Sequence, residues 1–276
     1  MDPPKPIYRR NAKTFGLNAS RSISIPLQPG VLKDTKGQPV TSAETKLLQR
    51  IVGTVMYLML LTRPDIGFAV QWISRHLTKA TNTHINAAKN LLRYLASTRT
   101  LAIHYGAKEV NIGPSSNLLQ LFGYSDSDFA GDMESSKSTY GYLFTLLGGF
   151  IYWKCKRAST IALSTVKAET DALAETIREA KWLRYLFTEL QAPISGPIAV
   201  FGNNQGSISN AHNPNLHART KHTLLKFHYV REEVSVGTIS IKYLDTKSMP
   251  ADGLTKPLTL PKHQAFLGLL GLKPKA

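Results

Sequence analysis

The chain has 276 residues, 42% hydrophobic and 9% aromatic, enough to form packed cores, which excludes a disordered chain. It carries 34 Lys and Arg against 18 Asp and Glu, a net +16, which favours a nucleic-acid partner over other acidic partners. No apolar run is long enough for a membrane span, and a single cysteine, Cys155, excludes an internal disulfide or a multi-cysteine metal site. The opening MDPPKPIYRR has no apolar signal core, so the expected location is intracellular, cytoplasmic or nuclear.

Residues 1–40 read as loop, because Pro3, Pro4, Pro6, Pro26, Pro29 and Pro39 interrupt any regular element. Thr41 and Glu44 then stand at capping-box spacing ahead of a helical apolar pattern that runs to Leu61. Pro64 and Asp65 suit the first turn of a second helix, PDIGFAVQWISRHL, and Thr83 is the expected cap of a third, HINAAKNLLRYLAS. The first hundred residues hold 15 Lys and Arg against 4 Asp and Glu, so they form a small, basic helical unit. Residues 106–118, GAKEVNIGPSSNL, read as a linker or hairpin into a second domain.

From residue 119 the pattern changes to strands: LLQLFGYSD, GYLFTLL and GFIYWKC, with turn signals between them. A long helix of about residues 165–190 follows, with Ser164 or Thr165 as cap. PIAVFG is a fourth strand, NQGSISNAH a short helix, RTKHTLLKFHYVREEV a longer one, and GTISIKYL a fifth strand. Three antiparallel strands followed by helix, strand, helix and strand imply an α/β domain with a mixed sheet.

Two features suggest chemistry. Asp126, Asp128 and Asp132 crowd into FGYSDSDFAGD, which is either a turn or a metal site facing a polyanion. In the long helix the apolar stripe Leu173, Ile177, Ala180, Leu183, Phe187, Leu190 extends back one turn to Glu169. That places a carboxylate on the buried face, where it needs a partner or a metal. Glu175, Glu179 and Glu189 read as solvated by comparison.

The run GYSDSDFAGDMESSKSTYGYLFTLLGGFIYWKCKRASTIALSTVKAETDALAETIREAKWLR resembles the ribonuclease H domain of copia-type LTR retrotransposon polyproteins. NPNLHARTKHTLLKFHYVRE and ADGLTKPL resemble the same family further on. SIPLQPG and IVGTVMYLMLLTRPDIGFAV...AAKNLLRYL resemble the segment after the reverse-transcriptase palm. The polymerase motifs with their paired aspartates are absent. The resemblance implies two domains: residues 1–105 as a post-palm (thumb or connection) helical segment and residues 119–270 as a ribonuclease H-like domain. The expected fold is a ribonuclease H-like mixed five-stranded sheet with flanking helices, preceded by the small basic helical unit.

The activity so implied is cleavage of the RNA strand of an RNA–DNA hybrid by two Mg²⁺ (or Mn²⁺) ions about 4 Å apart. Hard cations of this kind take carboxylate oxygens. The family's acidic positions fall on Asp126, Glu169 and Asp252, with Asp128 as a supporting or structural residue and Asp132 as a turn residue. Where a further Asp is expected, VFGNNQGS has Asn203, one neutral oxygen in place of an anion. Lys167, two residues before Glu169, sets a cation where the family has an acid, and an acid is also missing after Thr223. The alternative is therefore a catalytically inactive nucleic-acid-binding remnant. Candidate backbone contacts are Lys154, Lys156 and Arg157 beside Trp153, and Arg219, Lys221 and His222; a solvated strand end and an ordinary basic helix start are the plainer readings. The reverse-transcriptase part of the same polyprotein is an expected partner, and a membrane is not. His217, His222 and His228 lack the spacing of a zinc site.

Overall fold

A computed structural model describes residues 22–33, 37–106, 119–212 and 221–275, the side chains at 33 and 221–224 excepted. The expected linker at 106–118 therefore lies outside the described residues, apart from Gly106, as do His217 and Arg219. The side chains of Lys221 and His222 do too. The chain divides into two compact units. One runs to Ile103 and takes in Pro257–Gly268 and the residues from Leu272; the other is His104–Lys256 with Leu269–Gly271.

The first unit is built on α1 (Ser42–Leu61), α2 (Gly67–Ser74) and α3 (Asn82–Ser97). The Thr41 side chain accepts from the Glu44 backbone and Glu44 caps the Thr41 N–H at 2.9 Å, the reciprocal box its spacing predicts. At α3 the cap falls on Thr81 instead of Thr83, and His84 takes the place usually held by Glu or Gln. Its Nδ1 accepts from the Thr81 N–H at 3.0 Å. Leu48, Ile51, Ile66, Ile73 and Leu91 close a core with almost no exposure. Two elements not expected from the sequence complete the unit: α7 (Leu260–Leu269), and β7 (Leu272–Pro274), which pairs antiparallel with β1 (Leu101–Ile103).

A buried polar network joins α7 to the helices. Arg63 donates to both Asp65 oxygens at 2.8 and 2.7 Å and to the Thr98 carbonyl at 3.1 Å. The Tyr94 hydroxyl donates to Asp65 at 2.6 Å and lies 2.8 Å from His263 Nε2. Tyr94 has one proton and gives it to Asp65, so His263 meets the phenol oxygen as an Nε2–H donor.

The second unit carries β2 (Leu121–Asp128), β3 (Thr139–Leu146), β4 (Gly149–Arg157), β5 (Ile198–Gly202) and β6 (Ile239–Tyr243) in the sheet order β4-β3-β2-β5-β6. β2, β3 and β4 run antiparallel, and β5 and β6 join parallel to β2. The flanking helices are α4 (Thr165–Glu189), α5 (Gln205–His212) and α6 (Lys221–Ser235). This is the ribonuclease H-like mixed five-stranded sheet that the sequence leads one to expect. Leu173, Ile177, Ala180 and Leu183 of α4 are buried in one core with Phe144, Ile198, Val200 and Ile239. Phe187, half-buried, packs against the same core, and the stripe ends before Leu190, which is exposed.

Candidate active site

Asp126 sits in β2, the central strand, opposite Gly141 of β3. A Cβ at Gly141 would lie 2.6 Å from Leu254 Cβ and 3.2 Å from the Ala251 carbonyl oxygen. The missing side chain therefore lets the 3₁₀ turn Pro250–Leu254, which carries Asp252, settle against the sheet beside Asp126. Thr255, fully buried, fixes the two together. Its hydroxyl donates to Asp126 Oδ2 at 2.7 Å and lies 3.0 Å from the Asp252 carbonyl oxygen.

On the other side, β5 runs parallel to β2 with Tyr124 opposite Phe201, so the residue just past β5 comes level with Asp126. That residue is Asn203, whose amide nitrogen donates to Asp126 Oδ1 at 2.7 Å. From the α4 face comes Glu169, 8% exposed. Its carboxyl is pushed up to about 9 by burial first and then by the charge of Asp126, with a backbone hydrogen bond at Ser127 and the charge of Lys256 opposing. Asp126 is likewise raised, chiefly by burial and by Asp252. The structure thus brings Asp126, Glu169, Asn203 and Asp252 together.

Lys256, absent from the sequence expectations, enters the same cluster. Its Nζ lies 2.5 Å from Asp252 Oδ1. Burial works against the ammonium, but the hydrogen bond and charge of Asp252 and the charges of Asp126 and Asp128 raise its pKa. Asp128 is itself raised by burial, then lowered by Lys256 and raised by Asp126 and Asp252, so it belongs to the rim of the cluster. The only sequence signal for Lys256 is its position four residues after Asp252, a spacing that pairs charges.

Several neighbours fall elsewhere than expected. Lys167 turns away from Glu169 and pairs with Asp171 at 2.9 Å, which also meets Lys226 at 3.2 Å. Glu179 is not solvated: it accepts from the Tyr142 hydroxyl at 3.0 Å and from Lys154 at 3.2 Å. Asp132 holds a turn, accepting from Ser135 at 2.8 Å and Arg157 at 2.6 Å. Of the basic candidates on β4, Lys154 and Arg157 are therefore already ion-paired, and Lys156 is exposed.

In kind the donors fit a hard divalent ion, since they are carboxylate and amide oxygens with no thiol or imidazole among them. Their present arrangement serves other partners: Asn203 turns its NH₂ to Asp126, and Asp252 holds an ammonium. Among the described residues, no three His, Cys, Asp or Glu side chains are grouped so as to hold a metal ion. No helix among them is long and apolar enough to cross a membrane.

No family model matches the chain. It is 34% identical over 268 residues to a retrovirus-related Pol polyprotein from transposon TNT 1-94 of Nicotiana tabacum, covering 95% of this chain and 19% of that protein. To the Pol polyprotein from transposon RE2 of Arabidopsis thaliana it is 36% identical over 222 residues, 80% of this chain and 15% of that one. The chain therefore spans less than a fifth of the length of either polyprotein. A shorter relative, the secreted RxLR effector protein 161 of Plasmopara viticola, is 46% identical over 132 residues, 48% of this chain and 87% of its own length. Among solved structures, RNase H1 from Halobacterium salinarum NRC-1 is 16% identical, with a TM-score of 0.37, over 49% of this chain and 94% of that one.

Proposed function

We propose that this chain, which belongs to the copia-type, retrovirus-related Pol polyproteins known from plant transposons, cleaves the RNA strand of an RNA–DNA hybrid at the cluster around Asp126. One observation carries the reading. Asp126, Asp252 and Glu169 come from a strand, a turn and a helix far apart in sequence, yet they lie near enough for the charge of each to act on its neighbours. Carboxylates brought together in this way repel one another, a cost that a stability requirement alone does not explain.

A pair of hard divalent ions (Mg²⁺ or Mn²⁺), when bound by Asp126, Glu169 and Asp252 with Asn203 in the fourth place, supplies positive charge to the attacking water and the departing oxygen. The rest of the work falls to the chain itself. Asp126 is held in one rotamer by Thr255 and Asn203, one on each oxygen. Exposed Lys156 and the basic helical unit give a hybrid's backbone cations to meet, with Arg219, Lys221 and His222 as further candidates. Residues 1–105 act as a post-palm segment that places the hybrid and docks on the reverse-transcriptase part of the same polyprotein, inside the cell.

Asn203 weakens the site, because it presents a donor to Asp126 where an anionic ligand is needed. The test is hydrolysis of an end-labelled RNA–DNA hybrid by the full chain in Mg²⁺ and in Mn²⁺. We expect little or no cleavage in Mg²⁺ and the first measurable cleavage in Mn²⁺, which binds such sites more tightly. Vigorous cleavage in Mg²⁺ would show that three carboxylates suffice. A second reading, an inactive remnant that still binds nucleic acid, is favoured by the same Asn203. It stands if the hybrid is bound in a salt-dependent way and never cut.

A further inference from the structure

The carboxylates around Asp126 already have a cation of their own. Lys256 Nζ lies 2.5 Å from Asp252 Oδ1 in a turn whose backbone is pinned by Thr255. Its charge opposes the burial-driven rise of the Asp126, Asp128 and Glu169 carboxyls, so the ammonium acts on all four acids, not on Asp252 alone. The Lys256 side chain is 36% exposed while that of Asp252 is 16% exposed. A flexible four-carbon stem with one side open to water can swing out without disturbing the turn. Asn203 adds to the same state by giving its NH₂ to Asp126.

We propose that Lys256 is a built-in counter-cation that competes with divalent metal, so that an ion enters the cluster only as the ammonium leaves Asp252. This inference rests on the reading of the cluster as a metal site. Displaced, the ammonium would lie at the mouth of the site, where a phosphate of a bound nucleic acid can take it as a partner. Nucleic-acid binding and metal binding then favour each other, since one removes the competitor of the other.

The test titrates Mn²⁺ alone into the purified full chain and into Lys256→Met and Lys256→Arg. Free Mn²⁺ is read by electron paramagnetic resonance, and thermal melting is followed with and without the metal. Lys256→Met is expected to bind Mn²⁺ about tenfold more tightly, as expected when a site loses a competing charge. It should also melt lower than the native chain without metal and gain more from Mn²⁺. Lys256→Arg, which keeps the charge, should bind as weakly as the native chain; a residue with only a packing role would show both variants altered alike. Equal Mn²⁺ affinity in the native chain and Lys256→Met overturns the competition and leaves the metal site standing. No Mn²⁺ uptake by any of the three chains overturns the metal site itself. If Lys256→Met is unfolded without metal, folding on addition of Mn²⁺ supports the proposal, and failure to fold with it overturns it.

Discussion

In the helical unit Asp65 is buried among Arg63, Tyr94 and, one step further, His263, and both of its carboxylate oxygens meet a donor. In the sheet unit Asp126, Glu169 and Asp252 are brought together with Asn203 and Lys256, and the carboxyls of Asp126 and Glu169 are pushed upward. Asp65 shows the opposite balance: burial raises its carboxyl, but Arg63 and the Tyr94 hydroxyl bring it below its usual value. A closed network of this kind fixes α7 and α3 in register. In the function proposed above, an open one keeps charge available for something that is not part of the chain. The difference separates burial that serves the fold from burial that serves a site.

The sharpest way to break the comparison is to open the closed network. Arg63→Ala leaves Asp65 buried without its cation, and removing one partner of such a pair costs about 3–5 kcal/mol. Urea denaturation of the variant should show a loss of that size. Peptide-resolved hydrogen exchange should locate the loosening in both the 42–103 and the 260–274 regions, since α7 reaches the network through His263. Loosening confined to the three N-terminal helices would show that α7 is held by packing alone.

Opening the cluster further is the companion experiment. Asn203→Asp replaces the amide donor on Asp126 with a fourth carboxylate. Without metal the variant should be less stable than the native chain, because another anion then faces Asp126. With Mn²⁺ its hybrid cleavage should rise roughly a hundredfold, the equivalent of ~3 kcal/mol of transition-state stabilisation. A folded variant that gains nothing in cleavage would place the defect beyond this residue.

A smaller effect tests how the cluster is positioned. Gly141→Ala introduces a Cβ 2.6 Å from Leu254 Cβ, a contact that neither backbone can relieve without moving. The expected loss is about 1–3 kcal/mol. Lys256 should then be freed from Asp252, which amine-reactive labelling would register as faster modification at Lys256. Unchanged labelling would mean that the Pro250–Leu254 turn does not depend on this glycine.

What the sequence makes legible follows from how local each signal is. The Thr41–Glu44 box spans three residues and reads correctly; at α3 both Thr81 and Thr83 fit a cap, and only the His84 side chain decides between them. Glu169 is visible because helical periodicity carries a buried face one turn further, and Asn203 because the resemblance expects an acid there. Glu179 breaks the same periodic argument: it lies off the stripe, yet a Tyr142 hydroxyl from the sheet reaches it. Gly141 has no local signature and Lys256 only its spacing from Asp252, since their roles depend on a turn folding back onto β3. The pairing of Tyr94 with His263 spans 169 residues and leaves no periodic trace at all.

The finest distinction between the units is the sign of their response to pH. In the helical unit His84 and His263 are both lowered to about 4, first by burial, with His76 acting further on His84 and Arg63 and Asp65 acting in opposite directions on His263. Between that value and the unfolded 6.5 the unfolded chain binds more protons, so this unit should lose stability as pH falls through that window. The geometry agrees, because His84 Nδ1 must stay unprotonated to accept from the Thr81 N–H. In the sheet unit Glu169 is raised to about 9, so between 4.5 and that value the folded chain holds the extra proton. Stability there should fall as pH rises, by at most ~1.4 kcal/mol per pH unit from this one group. Trp72 lies in the helical unit and Trp153 and Trp182 in the sheet unit. Single-tryptophan variants melted in a metal chelator at several pH values therefore report each unit separately. Between about pH 5 and 6.5 the Trp72 transition should move up with pH while the Trp153 transition moves down. Movement in the same direction would mean that Glu169 does not hold its proton in the metal-free fold, and the contrast between a closed and an open network would lose its electrostatic basis.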